Sequence, residues 1–575
     1  MLDAISVEVT RHRLVAIVDE MSETLKRGAY TPTIFEVKDF SNALHLVGGG
    51  VVAQSLGIPI FLGAMPFSLA AAVDALGLDS LRPGDVLVSN DPHLAGGTHV
   101  NDVNVMLPVF AEGRPVLFAQ SKAHWRDVGG KDPGSWSADT RSIYQEGFRI
   151  PPLRLVREGV INAEVVELIR ANGRLPKNAD GDLHAQIAAC RLAETRLQEL
   201  LAELGWPALS EGIEAILDHG ERMSRAAIRE IPDGAYEGAS TLDSDGVEDR
   251  QVTVRVNVRV DGDRIHADFD GSDPEAAGGA SNTVLAGTVS AVRLAIKCLM
   301  DPELPTHEGA YRPITVSAPS GTCVNARPPA PVTVGFGNVT HAVVEAVWQA
   351  LGQVLPDRII AGTYGSIQGM QIAGAARGGR FFVHGQPHAG GWGARAGKDG
   401  ISALMPLVNG DCSNIPVEII ESRFPLRVER YSLFEDSAGA GRFRGGLGVI
   451  LDYRVLQESA VMNASLIRYR IAPAGVLGGE PGALSVTVVN PGTPGEVRHH
   501  EVSGHRLGAG DLVSHRTGGG GGYGPAFERD PEGVASDVRD GYVSAGAARS
   551  RYGVVLNESG GVDQAATSRA RGAPR

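Results

Sequence analysis

Apolar positions Ile5, Val9, Leu14, Ile17, Met21 and Leu25 recur at helical spacing and predict a helix over 3–27. In 30–46, Phe35 and Val37 alternate as on a strand, and Asp39 follows. Helical period returns over 65–78, and 86–89 reads as a short strand. Two apolar runs, 103–110 and 116–120, flank Ala111-Glu112-Gly113-Arg114. This short glycine-containing connection predicts a β-hairpin turning near Gly113. Helical patterns occupy 160–173, 182–204 and 211–229, stopped in turn by Asn172-Gly173, Gly205 and Pro232-Asp233-Gly234. Residues 251–269 alternate apolar and polar around Asp261-Gly262, the plainest hairpin pattern in the chain. Apolar helices are expected over 283–300 and from 341 to 351, and the chain is strand-rich from 449 to 517. The mixture predicts a mixed α/β (α+β) fold, multi-layered, with helical segments around a β-hairpin site. It groups as 1–235, 236–430 and 431–557, with a polar tail, 558–575, expected to be disordered.

At 575 residues the chain can bury several domains' worth of core, and its 43% hydrophobic content is that of a globular enzyme. A net charge of −14 with no long Lys/Arg run argues against nucleic-acid binding. Cys190, Cys298, Cys323 and Cys412 are scattered, with no C-x-x-C pair. They read as thiols of a reducing, cytoplasmic protein. The first residues carry charges and lack the apolar run of a signal peptide, and no stretch of about 18 apolar residues is seen, so no membrane span is expected.

The hairpin is where the chemistry gathers. With the turn at Gly113, antiparallel pairing sets Asp102 opposite His124. His99 lies one step before Asp102, after Gly96-Gly97. Two imidazoles and a carboxylate at one hairpin end are the ligand chemistry of Zn, Mn or Fe. Asp39 has two readings, a turn cap or a fourth ligand, and spacing does not choose between them. Elsewhere the simpler readings are favoured. Asp268 and Asp270 end a strand, Arg442 and Arg444 tie a loop, and His184 packs near a helix start. The five glycines 518–522 could form an anion-binding nest, but a flexible or tightly folded loop is the default, and no G-x-x-x-x-G-K-[ST] phosphate loop exists.

Ordered motifs along nearly the whole chain resemble the hydantoinase B/oxoprolinase family. They are DFSNAL at Asp39, NDPHLAGGTHVNDVNVMLPVF, KAHWRDVGG, EGFRIPP at Glu146, GDLHAQIAA, DFDGS, HEGAYRPI, PVEIIESRFPL, DSAGAGRFRGGLG, TGGGGGYG and YGVVL. The resemblance implies a B-type subunit working beside a separate hydantoinase A-type subunit that binds ATP and Mg. That partner phosphorylates a substrate oxygen. The B-type subunit then completes hydrolysis of a hydantoin-, oxoproline- or lactam-like ring. Carboxylation of a ketone, as in acetone or acetophenone carboxylase subunits, is the alternative, and a non-catalytic scaffold is a third reading. By motif the metal ligands would be Asp39, His99, Asp102 and His124, with Asp127 and Glu146 candidates for orienting a ligand or transferring a proton. The sequence departs from the family pattern at His45-Leu46, His93 and Asn101, which leaves the ligand set intact and the substrate open.

Overall fold

The computed structural model describes residues 3–376 and 378–572. Helix α1 (Ala4–Gly28) starts where Asp3 accepts a hydrogen bond from Ser6 N, and it buries Leu14, Ile17, Val18, Met21 and Leu25. The alternation at Phe35 and Val37 does not make a strand. Pro32 opens a one-turn helix, Pro32–Phe35, because its fixed φ suits a first helical position. The strand begins later, as β1 (Phe40–Leu46), and turns back into β2 (Val51–Gln54). Helix α2 (Pro59–Leu76) begins earlier than its period suggested. After β3 (Val86–Ser89) come β4 (Asp102–Ala111) and β5 (Arg114–His124), the expected hairpin. Glu112 and Gly113 both take positive φ (53° and 79°), the backbone that a two-residue hairpin turn requires.

With β6 (Leu153–Arg157) and β7 (Val160–Ile161), these strands form one antiparallel sheet in the order β2-β1-β5-β4-β3-β6-β7. The start of the helix expected over 160–173 is therefore a strand. Helix α3 (Ala163–Asn172) begins only after Asn162, whose side chain accepts from Glu164 N and Val165 N. The two helices expected over 182–204 and 211–229 join as α4 (Pro176–Ile228). Its backbone is non-helical at Gly205 (φ 74°, ψ 155°), so α4 is two helices meeting at a kink, with the expected stop at Gly205.

Alternation decides which sheet face does what. Phe40, Leu44, Val103, Val105, Leu107, Leu117, Ala119 and Ala123 point to one face and share a core with α1 and α4. The opposite face carries α2. There Leu69 and Ala72 pack with Leu87, Met106 and Phe118, and Leu62 and Met65 with Ala43 and Val51. Helix α2 is 18 residues long with a mean hydropathy of 1.6, long and apolar enough to cross a membrane by composition. The expectation that no such stretch exists is corrected on this point. Its apolar residues are accounted for by the sheet they cover.

The 251–269 hairpin is β9 (Val252–Asp261) and β10 (Arg264–Asp268), in a second sheet with β8 (Gly234–Leu242) and β11 (Ile314–Ser317). Helices α5 (Leu285–Leu299) and α6 (Gly335–Leu351) match the two expected apolar helices, each starting within a few residues of its pattern.

The chain divides into two compact units. The first is Met1–Val354 with Phe381–Gln386 and Leu407–Ile415, and the rest forms the second. The division after Val354 falls inside the stretch 236–430 that the pattern groups together.

The second unit is rich in strands and glycine. The run 518–522 is neither an anion cradle nor a free loop, because its amides are already used. Gly520 N donates to Gly446 O, Gly521 N to Gly362 O and Gly522 N to Glu480 O. A Cβ on Gly520 would lie 1.9 Å from Trp392 O. The glycines are therefore the only residues that let these extended segments approach so closely.

The tail expected to be disordered carries a further helix, α7 (Gln564–Gly572). Asp563 accepts from Ala566 N, and Arg571 donates to Tyr552 O and Arg529 O, which ties the segment down. Residues 573–575 lie outside the described residues.

Candidate metal centre

The register pairs Asp102 with His124 across β4 and β5, as counted from the sequence. Their side chains point to the α2 face. His99 reaches them from the loop before β4, where Asp102 N donates to His99 O at 3.1 Å. That loop runs through Gly96 (φ 56°), where a Cβ would sit 2.8 Å from Phe67 Cβ, so the close pass needs glycine. Gln186 of α4 fixes the hairpin from behind: its amide donates to Val103 O and Ser121 O and accepts from Trp125 Nε1.

His99 Nε2 is 2.9 Å from Asp102 Oδ1, and His124 Nδ1 is 3.2 Å from the same oxygen. One ligand atom from each of the three residues lies within 4.8 Å of the other two, and all three side chains are buried. Thr98 Oγ1 donates to the second oxygen of Asp102. Burial alone would raise the Asp102 pKa, but His99, His124 and Lys122 hold it well below the ordinary carboxylate range. Burial also lowers the His124 pKa, favouring the neutral imidazole that a metal needs. His99 stacks on Phe336 with centroids 5.3 Å apart, and its Nδ1 is buried with no hydrogen-bond partner among the described residues.

Asp39 sits immediately before β1, and its carbonyl accepts from His124 N at 3.0 Å. Its carboxylate does not cap the following turn; Asp39 N donates to Thr33 O instead. Burial raises the Asp39 pKa, and the carboxylate lies in the field of His124, Asp102, Arg126 and His99. It therefore borders the three-residue cluster. His99, Asp102 and His124 fit a divalent ion in donor type, spacing and burial.

Asp127 and Glu146 are placed differently. Both Asp127 oxygens are taken by Gly129 N, Gly134 N, Arg174 N and Arg174 Nη1, so this carboxylate ties loops together. Glu146 Oε1 accepts from Val332 N, Thr333 N and Thr140 Oγ1, while its buried Oε2 has no partner among the described residues. Burial raises the Glu146 pKa against those bonds. The bonds of both carboxylates run to loops and main chain, away from the cluster. His45 bonds the nearby Gly49 O, and His93 bonds Ala330 O from a distant part of the chain, so main-chain carbonyls hold both rings. Asp268 accepts from Ser317 Oγ and Asp270 N, a strand end. Arg444 lies 3.3 Å from Asp537 and ties a loop. A cavity of about 710 Å³ between α1 and α4 shares no lining residue with the cluster.

Lys122 is the residue that the sequence pattern did not single out. It is fully buried on the same face as His124, two positions away. Its ammonium has no hydrogen-bond partner among the described residues and lies 5.0 Å from the centre of the Phe61 ring. Burial pushes its pKa down to about 8, opposed by Asp102. The period-2 rule would have placed it beside His124 once the hairpin was drawn.

Known proteins resemble the chain over its whole length. The hydantoinase B/oxoprolinase family profile matches residues 3–526. The B-type component of a putative D-/L-hydantoinase from Pseudomonas sp. is 32% identical over 592 residues, covering 99% of this chain and 98% of the relative. The crystal structure of an ATP-dependent caprolactamase from Pseudomonas jessenii superposes with a TM-score of 0.93 at 31% identity, covering all of both chains. A nucleotide-free acetone carboxylase structure gives a TM-score of 0.89 at 21% identity, over 98% of this chain and 82% of the other, a likeness of fold.

Proposed function

Because the chain belongs to the hydantoinase B/oxoprolinase family, we propose that its buried His-Asp-His cluster is the metal centre of a B-type subunit in an ATP-dependent cyclic-amide hydrolase. The observation that carries the reading is the convergence of His99, Asp102 and His124 within 4.8 Å in a buried site. Asp39, His99, Asp102 and His124 would hold the ion, as Zn, Mn or Fe. When bound, such an ion supplies Lewis-acid polarisation of a carbonyl or phosphoryl oxygen.

The chain's own residues do the rest. Asp102 orients both imidazoles, and Phe336 and Trp136 shield the His99 ring from water. Glu146, raised in pKa and with one oxygen unpartnered among the described residues, is a proton-transfer candidate. Asp127 holds the loop that follows His124. ATP and Mg are placed on a separate A-type subunit, in keeping with the missing phosphate loop, so the working enzyme is a hetero-oligomer. A cytoplasmic setting fits four cysteines that are all unpaired.

Hydrolysis is preferred to carboxylation because the hydantoinase and caprolactamase relatives share about a third of their residues with this chain, whereas the carboxylase shares its fold. The test is ATP-dependent ring opening of hydantoin, 5-oxoproline and caprolactam by the chain with its A-type partner. Activity on at least one ring, lost in His99→Ala, is expected. Unchanged activity in His99→Ala would favour a scaffold, and bicarbonate-dependent ATP turnover with a ketone would favour a carboxylase.

A further inference from the structure

The register lines up a second polar row beside the metal ligands. Ser41 pairs with Lys122, Lys122 with Asn104, and Asn104 with Ser89, across four adjacent strands and on the α2 face. Ser41 is committed to Ile58 O, and Asn104 Oδ1 accepts from Gln120 Nε2. Three polar groups of this row remain, Lys122 Nζ, Asn104 Nδ2 and Ser89 Oγ. All are buried, and none has a hydrogen-bond partner among the described residues. Buried donors left open in one row are costly to the fold unless something else accepts from them. The open hydrogens call for an occupant rich in acceptors.

Charge says the same. Asp39 and Asp102 face Lys122 and Arg126, two negative charges against two positive. A divalent ion on the ligand set would add positive charge beside this row, favouring an anion over a neutral lactam without being needed for it.

We propose that Lys122, Asn104 and Ser89 form an anion subsite next to the metal ligands, one that takes the phosphoryl oxygens of an ATP-activated substrate. This rests on the hydrolase reading for the identity of the ligand. Its donors are a point charge, an amide and a hydroxyl, a set suited to a phosphate monoester. The Phe61 ring, near the start of α2, lies 5.0 Å from the ammonium and shields it from water.

The test is isothermal titration of inorganic phosphate, and separately methyl phosphate, into the full-length chain, both chelator-treated and metal-loaded. The wild type is expected to bind both anions in both forms, because the subsite does not need the ion. Lys122→Met should weaken binding by about tenfold or more in both forms, the scale of a lost charge-assisted hydrogen bond. Its metal content should be unchanged. Ser89→Ala and Asn104→Ala should each weaken binding about threefold or more, and they carry the test if Lys122→Met fails to fold. Unchanged affinity in Lys122→Met, or in both other variants, overturns the subsite. So does phosphate binding that vanishes with the metal. A wild-type chain that takes up no metal yet binds phosphate through Lys122 would defeat the hydrolase reading while leaving the subsite standing.

Discussion

Asp102→Asn tests how the centre is held together before any ion binds. Asp102 accepts from His99, His124 and Thr98, and its charge is the one that favours the ionised form of Lys122. Asparagine is nearly isosteric, so packing is kept and charge is lost. Losing the carboxylate weakens its charge-assisted bonds from two buried imidazoles and a hydroxyl and removes the counter-charge of the buried ammonium, together about 3–5 kcal/mol. About 4 kcal/mol corresponds to roughly a thousandfold change in the open population, since each 1.4 kcal/mol is about tenfold. Cys190 reports on it. Its thiol is fully buried in the core between α4 and the sheet, beside Val105 O. Alkylation of Cys190 in chelator-treated protein, followed by peptide mass spectrometry, should therefore accelerate by roughly two to three orders of magnitude in Asp102→Asn. The double variant Asp102→Asn/Lys122→Met should recover about 1 kcal/mol of the loss at pH 7, because the stranded charge is gone. Additive effects within about 0.5 kcal/mol would refute the coupling of Asp102 to Lys122.

Three further outcomes follow from buried groups. His45 and His388 are buried, and burial pushes each from the ordinary 6.5 down to about 4, against the carbonyl each one bonds. The unfolded chain gains these protons as pH falls below 6.5, and the folded chain does not until about 4. Stability is thus full above pH 6.5 and declines below it, by about 3 kcal/mol per histidine at pH 4. Thermal melts between pH 7.5 and 4.5 should show the fall, with a shallower slope in His45→Asn; equal slopes would contradict it. Gly520→Ala drives a methyl to within 1.9 Å of Trp392 O and should abolish soluble expression, whereas alanine at the exposed Gly48, with open space and no positive φ, should be tolerated. Asp127→Ala removes four loop contacts and should lower the melting temperature by several degrees with metal content intact. Loss of metal instead would show that the loop anchors the ligands.

Much of the site was legible because it rests on local rules. The turn at Glu112-Gly113 alone would set Asp102 opposite Ala123; an irregularity between Val109 and Phe110 shifts the pairing by one residue to His124, the partner that counting from Gly113 gives, and period 2 fixes their shared face. What was not legible depends on longer-range partners. The main chain of Asp39 lies beside His124 because β1 pairs with β5, a pairing that no local pattern around Asp39 encodes. The strand at Phe35 failed because Pro32 set a helical turn first. Gly205 was legible as a stop, and the helix does break there; that Pro207 starts a second helix almost at once was not legible. The pentaglycine run offered no side chains to read, and its role depends on segments as distant in the chain as Gly362.

The most direct measurement is elemental analysis of the purified chain beside His124→Ala. About one equivalent of Zn, Mn or Fe per chain in the wild type, lost in the variant while its fold is retained, is the expected result. Wild-type protein that takes up none of these ions after reconstitution, or a His124→Ala chain that retains a full equivalent, would contradict the assignment of the hairpin as a metal centre.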